Sequence, residues 1–194
     1  MAKTQKQQPK SIEFPRQYRV IGGDISLKRP GFSVVYVERD EQGISTITNV
    51  ETMSIDNKTD KKKSKGQLLN DILVGIENFF PSENDNIPTF YVREKYITQH
   101  NSIYEATIHK AVGLSDWYLW KIGSEWHEIY PNTIKKLIAG SGKADKKQVT
   151  EALSHYVGER QYANDDESDA TAVAIAWLIE QKQINSYDGG TEEC

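Results

Sequence analysis

Apolar positions change period along this chain, and the changes divide it into elements. Residues 18–24 (YRVIGGD) are strand-forming and stop at an aspartate. Residues 31–38 (GFSVVYVE) predict a second strand, and residues 43–55, loosely alternating and rich in Ile, Val and Thr, a third. The turn residues 39–43 (RDEQG) join those two as a hairpin. Over 67–80 the period becomes helical: Leu69, Ile72, Leu73, Ile76 and Phe80 share one face. A polar loop at 81–88 leads to a fourth strand over 89–94 (TFYVRE). The capping pair Ser102 and Glu105 then starts a helix running toward Gly113 or beyond. A short strand at 125–130 and a short helix at 131–138 follow, and Asp145 with Gln148 caps another helix, with Val149, Ala152, Leu153, Tyr156 and Val157 on one face. The last helix, 168–181, is apolar nearly all round and is expected to be buried against the sheet.

This order predicts an α/β fold with a five-stranded mixed sheet. An antiparallel meander of three strands is joined by a parallel fourth and fifth, and helices flank the sheet. No repeat or internal linker interrupts it. The expected division is a flexible basic arm at 1–16, one domain at 17–182, and a flexible acidic tail at 183–194.

Composition narrows the class. The 194 residues suffice for one substantial core, and 37% hydrophobic with 27% charged residues excludes a disordered or membrane-embedded chain. No apolar run is long enough to span a bilayer, and the lysine-rich start does not resemble a secretory signal. The single cysteine, Cys194, rules out an intramolecular disulfide and sets a cytoplasmic expectation. A net charge of -4 argues mildly against nucleic acid, but the charge is uneven. Lys58, Lys61, Lys62, Lys63 and Lys65 form one basic run, and Lys135, Lys136, Lys143, Lys146 and Lys147 another. Acidic residues gather at 165–169 and in the tail at Asp188, Glu192 and Glu193. A polyanion responds to the local field, and an acidic metal site filled by cations does not repel it.

Four carboxylates carry the candidate chemistry. Asp24 ends the first strand on the face of Val20 and Gly22, and Gly22 with Gly23 leaves room for close approach. Glu94 ends the fourth strand on the face of Phe90 and Val92. If those strands are parallel neighbours, both carboxylates reach the carboxyl edge of the sheet, where open α/β sheets place their sites. Asp166 and Asp169, three apart at the start of the last helix, share a face. Magnesium takes such oxygen ligands, and two ions about 4 Å apart stabilise both oxygens of a phosphodiester displacement. Singly, each carboxylate has an ordinary explanation: a turn, a surface ion pair with Arg93 or Lys95, a helix cap. Their joint placement is what points to a nuclease.

Three motifs make the chain resemble the RuvC-type Holliday-junction resolvases, across roughly residues 18–180. The first is GGDISLKRPGFSVV, with Asp24 and Gly31 in the family's positions but Ile25-Ser26 where Pro-Gly is usual. The second is FYVREKYI, where Glu94 matches the strand-four glutamate, and Tyr96 and Ile97 stand where cellular members carry an aromatic wedge. The third is IYPNTIKKLIAGSGKADKKQV followed by DDESDATAVAIAWL, which places Lys135 and Lys146 on the active-site lysines and Asp166 and Asp169 on the closing DxxD pair. Extra terminal sequence suggests a phage-encoded member, acting in the host cytoplasm. The resemblance implies an RNase H-like fold, magnesium (manganese substituting) at two ions per site, and a homodimer that pairs partly through residues 102–114. It implies an endonuclease of recombination and repair that cuts branched DNA, above all four-way junctions. Asp24, Glu94, Asp166 and Asp169 would be metal-binding and catalytic, Lys146 also catalytic. Lys135, Lys136, Lys143, Lys146, Lys147, Tyr96 and Ile97 would contact DNA.

Other features carry less. Gly140 and Gly142 admit a phosphate or merely form a helix–helix turn, and the run at 61–65 is more simply a solvated loop than a duplex track. His100, His109, His127 and His155 lack metal-ligand spacing. Trp117, Tyr118, Trp120 and Trp126 fit core or interface better than base stacking. Competing functions are a broader fork and flap nuclease, a non-catalytic junction binder, and an ATP-binding protein with an RNase H-like core.

Overall fold

The computed structural model describes residues 12–57, 62–82, 85–97 and 102–187, with the backbone alone at 102–105 and 107. Strands β1 (Gln17–Asp24), β2 (Gly31–Arg39), β3 (Ser45–Ser54), β4 (Thr89–Glu94) and β5 (Trp126–Ile129) form one sheet in the order β3-β2-β1-β4-β5. The pairs β1–β2 and β2–β3 are antiparallel, and β1–β4 and β4–β5 are parallel. The sheet is thus the expected meander extended by two parallel strands. Among the described residues, five helices cover it: α1 (Lys65–Phe79), α2 (Ser102–Lys121), α3 (Pro131–Ala139), α4 (Lys146–Val157) and α5 (Asp165–Glu180).

The central strand is apolar on both sides because both faces of the sheet are covered. Val20 joins Val35, Val92 and the inward side of α5 in one cluster, to which α3 and α4 add Ile134, Ile138, Val149 and Leu153. Ile21 points the other way, joining Phe32, Val34, Tyr91 and Ile72 and Ile76 of α1. Helix α5 is buried almost throughout, as its all-round apolar pattern requires. Trp177 lies in an aromatic group with Phe14, Phe90 and His127.

Two glycines let α5 lie this close. A Cβ on Gly22 would stand 2.0 Å from the Ala170 carbonyl oxygen, and one on Gly31 would stand 2.0 Å from that of Asp166. Sheet and helix backbones therefore touch at the strand ends where the carboxylates emerge. Buried Glu167 adds a tie, accepting hydrogen bonds from Thr52 Oγ1 at 2.9 Å and Ser54 Oγ at 3.2 Å on β3.

Boundaries shift where caps were overlooked. Helix α5 begins at Asp165, not 168, because Asn164 Oδ1 accepts from the backbone N–H groups of Asp166 and Glu167. Helix α1 begins at Lys65 because Ser64 and Gln67 form a capping box. The Asp145–Gln148 capping box is present at the start of α4. Ile12 and Phe14, assigned to the arm, pack against the core, as does Ile184 of the tail. The expectations on residues 1–11, Lys58, Lys61, His100, the Ser102–Glu105 cap, and Asp188, Glu192 and Glu193 lie outside the described residues or side chains.

Candidate active site

The parallel pairing of β1 with β4 aligns Gly22 with Val92 and Gly23 with Arg93. One residue further on, Asp24 and Glu94 leave neighbouring strands at the same edge. Gly31 seats the first turn of α5 against the start of β2, so Asp166 and Asp169 descend to that edge too.

Electrostatics show that the four share one neighbourhood. The Asp24 carboxyl is pushed up to about 7, first by burial and then by the negative charges of Asp169, Glu94 and Asp166. Glu94 ends its strand at the exposed rim, yet its carboxyl is also raised, by the protein around it and then by Asp169, with Lys135 and Lys146 pulling it back. Asp169 is raised by burial, against the pull of Lys146. Burial pulls the Lys146 pKa down, but its 2.6 Å hydrogen bond to Asp169 Oδ2 and the negative charges of Asp169, Asp165 and Asp24 together raise it.

Among the described residues, no three acidic, histidine or cysteine side chains are already gathered as a metal cage. The donor chemistry nevertheless suits a hard divalent cation: oxygen ligands come from two strand ends and a helix start, and burial followed by like charge raises the Asp24 carboxyl to about 7. Bringing them closer without a cation would increase that repulsion.

The predicted DNA contacts separate into groups. Lys135 and Lys146 face the acids, as their effect on Glu94 shows. Lys136, Lys143 and Lys147 are exposed along α3, the following turn and α4, where Lys147 makes a 3.6 Å pair with Glu151. Gly140 ends α3 in the left-handed region at φ 73°, the ordinary helix–helix turn. Tyr96 packs edge-on against His109 of α2, leaving Ile97 as the exposed side chain of the two. Both line a cavity of about 310 Å³ with Asp24, Glu94 and Lys95. The aromatic set divides: Tyr118 and Trp126 pack in the core, while Trp117 and Trp120 are exposed on α2.

Sequence reasoning missed Arg29. Its Nε lies 3.5 Å from Asp166 Oδ2, and a terminal nitrogen lies 3.6 Å from Asp56 Oδ2. The available signal was the adjacent cation pair Lys28-Arg29 inside the first motif, between Asp24 and Gly31.

The family model described as crossover junction endodeoxyribonuclease RuvC matches residues 20–177. This chain belongs to the RuvC family. The match begins within β1 and ends within α5, so it contains all four carboxylates and Lys146. The RuvC of Prochlorococcus marinus subsp. pastoris is 26% identical over 164 residues, spanning 84% of this chain and 98% of that protein. The RuvC of Zymomonas mobilis is 33% identical over 100 residues, 52% of this chain and 60% of that one. Among solved structures, Thermus thermophilus RuvC superposes with a TM-score of 0.64 at 18% identity, covering 85% of this chain and 97% of that one. The same protein in complex with Holliday junction substrate gives 0.62 at 18%, covering 82% and 92%. The resemblance read from three motifs is thus borne out, and so is the RNase H-like architecture.

Proposed function

We propose that this RuvC-family chain resolves four-way DNA junctions by magnesium-dependent phosphodiester hydrolysis, leaving 5′-phosphate and 3′-hydroxyl ends. The observation that carries the reading is the meeting of Asp24, Glu94, Asp166 and Asp169 at one sheet edge with Lys146 among them. These four carboxylates would hold the metal, which supplies Lewis-acid activation of water and neutralises charge on the departing oxygen. Two magnesium ions, replaceable by manganese, match a four-carboxylate set.

The protein's own groups complete the site. Lys146, tied to Asp169 in the free protein, is placed to meet a non-bridging phosphate oxygen and the charge that grows on it. Lys135 stands beside Glu94, and Lys136, Lys143 and Lys147 extend the positive surface along α3 and α4 for backbone contacts. Ile97, exposed beside the acids, would press against an unstacked base at the branch, while its neighbour Tyr96 packs against His109. The nuclease domain would span 17–182 together with Ile12, Phe14 and Ile184, which pack on its core; the basic arm before it would add non-specific DNA affinity, and the protein would work in the cytoplasm.

A homodimer would supply one site for each of two symmetry-related strands. Exposed Trp117 and Trp120 on α2 support pairing through that helix. Among the described residues, no helix is long and apolar enough to cross a membrane.

The test is cleavage of a synthetic four-way junction, a fork and a linear duplex, with and without Mg²⁺. The junction is expected to be cut fastest, and only with Mg²⁺, while Glu94→Gln leaves it intact. Equal cutting of fork and junction would favour the broader branched-DNA nuclease. Undiminished cutting by Glu94→Gln would remove the assignment of the site.

A further inference from the structure

Among the described residues, ion pairs reach the two α5 carboxylates and neither strand carboxylate. The two pairs differ in kind. Lys146 holds Asp169 at 2.6 Å, a charge-assisted hydrogen bond. Arg29 stands between Asp166 and Asp56 at 3.5 and 3.6 Å, beyond good hydrogen-bond distance from either. Its Nε is buried and makes no hydrogen bond. A guanidinium has five donors in a planar fork, and here that fork is underused.

The loop that carries Arg29 is held firmly. The Arg29 backbone N–H donates to Ser26 Oγ at 3.0 Å, and the Asn57 backbone N–H donates to the Lys28 carbonyl at 2.9 Å. Buried Asn57 also donates through Nδ2 to the carbonyls of Leu27 and Leu68, each at 3.2 Å. The Ile55 N–H donates to the Pro30 carbonyl at 3.1 Å. Gly31, two residues on, lies against the Asp166 backbone. A rigid loop therefore aims an undersatisfied guanidinium at the acid cluster.

We propose that Arg29 is a second phosphate-binding cation of this site. In the free protein it shares Asp166 and Asp56, and when a divalent cation claims Asp166 it turns its fork to non-bridging oxygens of the DNA backbone beside the scissile bond. A phosphodiester offers the paired oxygens that a guanidinium matches best. Arg29 then acts in two opposed ways: it competes with the metal at Asp166 while DNA is absent, and it holds the substrate once DNA is present. This inference rests on the nuclease reading above.

The test titrates Mn²⁺, an octahedral stand-in for Mg²⁺, into DNA-free protein, following free Mn²⁺ by electron paramagnetic resonance. Four-way-junction affinity is measured separately in the Glu94→Gln background. Arg29→Gln is expected to bind Mn²⁺ about threefold or more tightly and the junction about tenfold more weakly. Arg29→Lys, which keeps a point charge without the fork, is expected to bind Mn²⁺ as the wild type does and the junction about threefold more weakly. Unchanged or weaker Mn²⁺ binding by Arg29→Gln, or unchanged junction affinity, overturns the proposal. Failure of the wild-type protein itself to bind Mn²⁺ overturns the metal reading beneath it, so the two failures are told apart.

Discussion

The two ends of the paired strands β1 and β4 treat charge in opposite ways. Near their start, buried Arg19 forms a bidentate pair with Asp85, at 2.5 and 2.8 Å, and also donates to Thr89 Oγ1 and the Ile87 carbonyl. The hydrogen bond from Arg19 holds the Asp85 carboxyl below its usual range. At the far end Asp24, Glu94 and Asp169 are all held above theirs, by burial and by one another. The same sheet thus carries a charge arrangement that is satisfied within the protein at one end and a cluster of raised carboxylates at the other, the site proposed to hold a metal. On the proposed reading, the first kind of site serves the fold and the second the chemistry.

That contrast can be broken from either side. The largest effect is expected at the unsatisfied end: Asp24→Asn should lower junction cleavage on the order of 10³-fold, since it removes a charged ligand without changing shape. Next comes the contact that brings α5 to the strand ends. Gly31→Ala puts a methyl against the Asp166 carbonyl and should destabilise the protein by about 3 kcal/mol, read by denaturant unfolding, with cleavage falling as Asp166 and Asp169 move. The smallest effect on catalysis is expected at the satisfied end. Asp85→Asn should lower the Tm, because Arg19 loses its charged partner, while cleavage by the folded fraction stays as in the wild type.

Much of this was legible in the chain because period and punctuation are local. Residues 89–94 are strand β4 to the residue, and the Asp145–Gln148 capping box stands where the pattern put it. The pairing that aligns Asp24 with Glu94 was expected only on condition that their strands are parallel neighbours, since register is set by packing across the sheet. The start of α5 was missed by three residues, because Asn164 caps from a run of polar residues with no apolar marker. The roles of Gly22 and Gly31 as contact points for α5 need coordinates, as does the loose ion pair of Arg29. Spacing in sequence does not say which backbone a missing Cβ would strike. Lys135 and Lys146, singled out by the motifs, both lie close enough for their charges to pull on Glu94.

The central claim is that Asp24 is held, by burial first and by like charge second, in a site whose cost a divalent cation relieves. Its folded pKa is about 7 against an ordinary 3.8, so the folded protein binds this proton more tightly than the unfolded chain does. Raising pH from about 4 to about 7 therefore removes stability through this group, up to about 4 kcal/mol. The direct measurement is the unfolding free energy of wild type and Asp24→Asn across that range, with EDTA and with Mg²⁺. With EDTA, Asp24→Asn should gain on the wild type as pH rises, and Mg²⁺ should reverse the advantage at pH 8 by stabilising the wild type more. A difference between the two proteins that stays flat with pH and is untouched by Mg²⁺ would contradict the claim.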